Sequence, residues 1–171
     1  PRVIGVLRPR QRAEIDTVKQ LLKQHRLLTL TGPGGIGKTR LALQVAAEIA
    51  GFYPDGVCFV DLAAINESAL VTNTLAHVLD VAESPDTPLT TLIQAALRDK
   101  QFLLILDNFE HLLAAAPLVA ELLAASRTLK VLVTSREVLA LYGEQEYAVP
   151  PLQLPDLEGF AAHHLAPTTL L

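Results

Sequence analysis

Gly32, Pro33, Gly34, Gly35, Ile36, Gly37, Lys38 and Thr39 spell the pattern G-x-x-x-x-G-K-S/T. No other stretch constrains the fold as strongly, because the pattern works only as a turn between a strand and a helix. The flanks supply both. Leu27, Leu28, Thr29, Leu30 and Thr31 form a short, β-favouring apolar run. Leu41, Ala42, Val45, Ala46 and Ile49 then recur at helical spacing.

The residue types explain the ligand that such a turn takes. Backbone N–H groups that converge on phosphate oxygens need φ/ψ values that Gly34, Gly35 and Gly37 adopt cheaply. The following helix points about half a positive charge at the same anion. Lys38 is placed to reach the β- and γ-phosphates, and the Thr39 hydroxyl to ligate Mg²⁺. Pro33 stiffens the loop entry, and Arg40 extends the basic helix start. The expected ligand is ATP or ADP with Mg²⁺.

At 171 residues, one α/β domain is the natural reading, and half of the residues are apolar. Helical patterning is expected over 12–24, 67–81, 88–99 and 109–125, the last interrupted by Pro117. Strands are expected at 27–31, 57–61, 102–107, 130–134 and 146–149. Strands that alternate with helices, each strand read as a continuous apolar run, indicate a parallel sheet covered on both faces. Pro150, Pro151 and Pro155 mark a linker, so residues 1–150 are read as the nucleotide-binding domain. Residues 151–171 are read as a linker and the start of a truncated helical domain. A start at Pro1 with no Met anywhere suggests an excised piece. A single cysteine, Cys58, suits a reducing, cytoplasmic setting, and no apolar run is long enough for a membrane span.

Net charge is −4, but nine of the fourteen Lys and Arg fall within residues 1–40, against two of the eighteen acids. That basic end is read as serving the phosphate loop. No aromatic residues interleave Arg2, Arg8, Arg10 and Arg12, so direct nucleic-acid binding is not expected.

Two further motifs belong to the same chemistry. Phe102 to Asp107 is an apolar run ending in an acid, and a carboxylate at the C-terminal end of a parallel strand sits where ligands bind. Asp107 is expected to hold Mg²⁺ through a water. The following Asn108 can orient water but cannot take its proton, which leaves Glu110 as the nearest spare carboxylate. Glu110 is either a general base or an exposed acid in the first turn of the next helix. Hydrolysis is therefore expected to be slow. Val131 to Arg136 is a strand ending in Thr134-Ser135-Arg136, which puts hydroxyls and a guanidinium near the γ-phosphate. Lys38, Asp107, Glu110 and Arg136 are thus the candidate catalytic residues, and Thr39 and Asp107 the candidate metal residues.

These motifs, with Gly56 to Ala63, Leu104 to Leu112, Val133 to Glu137 and Val149 to Leu152, resemble one group of ATPases. The group is the STAND class (NB-ARC-like), as found in bacterial transcriptional regulators of the LuxR and SARP types. The resemblance runs from about Arg12 to Leu157. It implies a P-loop NTPase with five parallel strands in the order 5-1-4-3-2. It also implies an ATP/ADP switch, with ADP holding a closed monomer and ATP permitting opening and self-association. Other domains of the same parent chain are the implied partners. Two departures stand out: Val6 to Arg12 lacks the family's hydrophobic-Gly-Arg-Glu adenine signature, and neither His163 nor His164 is assigned to its β-phosphate histidine. Two alternatives stay open, an ADP-holding module without turnover and an AAA+ initiator-like ATPase acting on nucleic acid. GTPase, small-molecule kinase and ABC readings are disfavoured. The chain has no Asn-Lys-x-Asp or Leu-Ser-Gly-Gly motif and only Arg98 in the stretch 51–99.

Overall fold

The computed structural model describes residues 9–151. The proposed start of a further domain (152–171), together with Arg2, Arg8, His163 and His164, lies outside the described residues. The element order is α1 (Pro9–Gln24), β1 (Leu27–Thr31), α2 (Lys38–Ile49), β2 (Val57–Asp61), α3 (Leu70–Val78) and α4 (Leu89–Leu97). It continues with β3 (Leu103–Asp107), α5 (Ala116–Ala125), β4 (Lys130–Thr134) and β5 (Glu144–Ala148).

All five strands are parallel and lie in the order β2-β3-β4-β1-β5, which is 5-1-4-3-2 read from the other edge. Alternation along β3 shows how the sheet is buried. Leu104 and Leu106 face a core with Val71, Ile93 and Val119 of α3, α4 and α5. Leu103 and Ile105 face the other, with Ile15 and Val18 of α1 and Val45 of α2. Both faces are covered, so β1 and β3 are buried at every residue and β4 at all but Lys130.

Four expectations need correction. β2 is an edge strand and only Val60 in it is buried, because among the described residues no strand lies on its outer side. Cys58 is half-buried there, and burial pushes its thiol up from the ordinary range. The expected helix 109–125 is interrupted. Asn108 takes a left-handed conformation (φ 62°), two short 3-10 turns follow at Phe109–His111 and Leu113–Ala115, and α5 restarts with Pro117 in its first turn. α3 and α4 are shorter than expected. β5 begins two residues earlier than expected, at Glu144.

Candidate functional site

The C-terminal ends of β1, β3 and β4 meet at one rim of the sheet, and α2 starts there. The loop from Gly32 to Gly37 crosses this rim. Gly32, Gly35 and Gly37 have positive φ (139°, 80° and 95°), whereas Gly34 does not, which corrects one of the glycine assignments. A Cβ on Gly32 would lie 2.4 Å from Ile36 Cδ1, a side-chain tip that can turn aside, so it is the conformation that requires this glycine. Pro33, Gly34 and Gly35 face solvent, whereas Lys38 is buried. Lys38 Nζ donates to the carbonyls of Gly32 (2.6 Å) and Pro33 (3.0 Å), which holds the ammonium under the loop.

Behind the loop, Asp107 is 2% exposed, and a carboxylate that deep must be hydrogen-bonded. Its donors come from three elements. Thr39 Oγ1 of α2 lies 2.8 Å from Oδ1 and 3.1 Å from Oδ2. Thr134 Oγ1 of β4 donates to Oδ1, and Asn108 Nδ2 donates to Oδ2 at 3.0 Å. The fold thus brings Thr39 and Asp107 together across 68 residues of sequence. A hydroxyl and a carboxylate side by side are hard oxygen ligands, the set that suits Mg²⁺. No group of three or more His, Cys, Asp or Glu suited to a metal occurs among the described residues, so a cation here would lean on a ligand's oxygens and water.

In the Thr134-Ser135-Arg136 stretch both hydroxyls are engaged within the protein. Thr134 Oγ1 serves Asp107 and accepts from the Asn108 N–H (3.0 Å). Ser135 is fully buried and its Oγ accepts from the Glu137 N–H. Arg136 reaches the loop, with Nη2 3.6 Å from where a Cβ on Gly34 would sit. Glu110 does lie in the first turn after Asn108, but it is mostly buried rather than exposed. It is 21% exposed, lies in a 3-10 turn, and its Oε1 is 3.2 Å from Arg136 Nε. Its Oε2 is buried and has no hydrogen-bond partner among the described residues.

Two features escaped the sequence reading. Asp61 ends β2 in register with Asp107, and its Oδ1 accepts from Asn108 Nδ2 (3.2 Å) and the Ala63 N–H (2.9 Å). Asn108 therefore bridges two carboxylates. The signal was available, since Val57 to Asp61 is also an apolar run ending in an acid. The second feature is a cleft beside the loop, lined by Glu14, Ile15, Ile36, Arg40, Gln44 and Val149. It joins α1, α2 and the end of β5, and no local motif marks it.

The NB-ARC domain family matches residues 11–149. A protein of Mycobacterium tuberculosis (strain ATCC 25618 / H37Rv) named as an HTH-type transcriptional regulator is 44% identical over 140 residues. That match takes in 81% of this chain but 16% of the regulator, so the chain spans about a sixth of its relative's length. Among solved structures, Cdc6p from Pyrobaculum aerophilum has a TM-score of 0.58 at 13% identity, over 86% of this chain and 47% of that one. A Signal Transduction ATPase with Numerous Domains (STAND) protein with a tetratricopeptide repeat sensor, from Pyrococcus horikoshii, has a TM-score of 0.50 at 17% identity, over 87% and 24%. At these identities the two structures establish a shared P-loop NTPase fold.

Proposed function

The chain belongs to the NB-ARC domain family, and on that premise we propose that it is a Mg²⁺-dependent ATP/ADP-binding switch domain of a larger regulator. The observation that carries this reading is the convergence of four groups at one rim. They are the glycine loop with Lys38, the Thr39–Asp107 pair, the Arg136 guanidinium and the adjoining apolar cleft.

Each group has a role in the proposal. The loop N–H groups from Gly34 to Thr39 and the start of α2 take the phosphates. Two of the three donors on Lys38 are occupied by carbonyls, which leaves one for a phosphate oxygen. Thr39 and Asp107 hold Mg²⁺, which supplies charge neutralisation between the phosphates when bound. The base lies in the cleft, with Ile36 against one face and Glu14 and Gln44 offering polar edges. This arrangement replaces the missing adenine signature of the N-terminal stretch. Arg136 meets the γ-phosphate, the contact that ADP cannot make and hence the one able to bias a switch.

Hydrolysis is slow in this reading. Asn108 is not a base, and Glu110 Oε1 is engaged by Arg136. Those same two facts favour a second reading, a domain that holds ADP without turnover. The likeness to regulators supports a setting among other domains of a longer, cytoplasmic chain. Self-association triggered by ATP belongs to the same proposal and is measured by light scattering with ADP and with ATP; identical masses in both would remove it.

The test of the core reading is to denature the purified chain and chromatograph what it releases, then titrate the emptied protein with Mg-ADP and Mg-ATP. Lys38→Ala serves as the control. Binding that depends on Lys38 supports the proposal. Equal affinities for the parent and Lys38→Ala proteins would refute it. Measured turnover of ATP then separates the slow hydrolase from the ADP-holding module.

A further inference from the structure

We propose that Glu110 is a positioning residue, one that aims the Arg136 guanidinium at the phosphate loop and so sets the preference for triphosphate over diphosphate. The inference deepens the nucleotide-switch reading and rests on it.

The geometry separates a fixed member of the pair from a movable one. Glu110 lies in the Phe109–His111 turn, which is pinned at its start. Phe109 is fully buried in the core, and the Asn108 N–H is held by Thr134 Oγ1. Arg136, in contrast, is 65% exposed and follows the end of β4. An exposed arginine alone samples many rotamers, and the entropy of ordering it would be charged against any phosphate contact. Here Glu110 Oε1 meets Nε at 3.2 Å, while Nη2 lies beside Gly34. The carboxylate therefore holds the guanidinium by one edge, which leaves the Nη groups presented to the loop.

The other carboxylate oxygen shows that the pair is more than a solvated surface contact. Glu110 Oε2 is buried and has no hydrogen-bond partner among the described residues. Leaving a charged oxygen in that state is unfavourable, and an exposed glutamate would turn it to water. The protein instead keeps the carboxylate facing Arg136. A general base needs a free oxygen beside the attacking water. Oε1 is paired with Nε and Oε2 is buried away from solvent, so the proposal replaces the base role.

The experiment measures Kd for Mg-ADP and for the Mg complex of the non-hydrolysable analogue adenylyl-imidodiphosphate. Four variants of the full chain are compared: Glu110→Ala, Glu110→Gln, Arg136→Ala and the Glu110→Ala/Arg136→Ala double. Glu110→Ala is expected to lower the triphosphate preference about two- to fivefold, the range an ion pair with one exposed partner supports. Glu110→Gln keeps an acceptor for Nε–H and recovers part of the loss. Arg136→Ala loses about tenfold or more. The double variant matches Arg136→Ala, because Glu110 acts only through the guanidinium. ADP affinity is unchanged throughout, which a merely structural defect would not leave intact.

A Glu110→Ala preference that stays level or rises, or an effect that persists on the Arg136→Ala background, would overturn the positioning role. Turnover abolished by Glu110→Gln with an unmoved preference would restore the base. A parent chain that binds neither nucleotide through Lys38 would instead remove the switch reading itself, and this proposal with it.

Discussion

Thr134→Val tests whether the buried carboxylate is built into the fold or waits on a ligand. The substitution keeps the shape of a side chain that is 1% exposed, so the cavity contribution is close to zero. Two hydrogen bonds disappear. The first is the donation from Thr134 Oγ1 to Asp107 Oδ1, and a bond to a charged group contributes about 1.5–3 kcal/mol. The second is the bond accepted from the Asn108 N–H, whose loss lies near the low end of a range of about 1–3 kcal/mol because Asn108 is only half-buried. Asp107 keeps its bonds from Thr39 and Asn108, so the charge is not orphaned. The sum is about 2.5–4 kcal/mol. For a chain of this length that is a fall in Tm of about 5–15 °C. Differential scanning calorimetry or urea unfolding of the nucleotide-free protein measures it. Thr134→Ser is expected to recover most of the loss, since the hydroxyl returns. A Thr134→Val protein within about 0.5 kcal/mol of the parent, a typical surface effect, would refute the reasoning. It would mean that these donors do not hold the Asp107 carboxylate in the free protein.

Three other outcomes follow from the same geometry. Lys38→Ala removes a charge-assisted contact and should weaken Mg-ADP binding about 10- to 100-fold with little change in Tm, read by calorimetric titration. Gly32→Ala places a Cβ 2.4 Å from Ile36 Cδ1 at φ 139°, so it should cost about 1–3 kcal/mol in urea unfolding and weaken both nucleotides together. Glu48 is held below the ordinary carboxylate range, chiefly by its hydrogen bond from Lys19, with Arg12 adding to it. Its contribution is present above the ordinary glutamate value and is lost as pH falls through the lowered one. Glu48→Gln should therefore destabilise at neutral pH and match the parent in acid below that range, by unfolding at two pH values.

The strands show what could be read in advance. β1, β3 and β4 lie inside the sheet with both faces covered, so their burial is written as largely apolar runs. β2 carries the same kind of run but sits at an edge, and composition cannot tell a central strand from an outer one. β5 starts two residues before its expected position because Glu144 and Gln145 look like turn residues, and Glu146 is also a poor strand former. The carboxylates of Glu144 and Glu146 instead accept from Thr29 and Thr31 of the neighbouring strand, and Glu144 also takes the N–H groups of Leu139 and Leu141. Those partners are distant in sequence, so nothing local announces them.

The candidate site divides along the same line. The residues from Gly32 to Thr39 are consecutive, and their required conformations are local properties, so the sequence carries them. Pairing Thr39 with Asp107 needs only the strand order that alternating elements already imply. Direction is what cannot be read. A threonine at a strand end can point to either face, and Thr134 turns its hydroxyl to Asp107. Glu110 depends on still less visible geometry. Helical periodicity continues through Phe109 to Ala125, yet the left-handed Asn108 and two 3-10 turns swing the carboxylate to Arg136, 26 residues further on. A continuous helix would have left Glu110 an exposed acid in its first turn. The backbone reversal at Asn108 is therefore the step that changes the chemistry available to this rim. Asn108 tolerates that conformation better than most residues because its short amide bonds locally, here to Asp107, and it also reaches Asp61. One residue thus withholds a carboxylate from the usual position, fixes two others, and sets where the third will face.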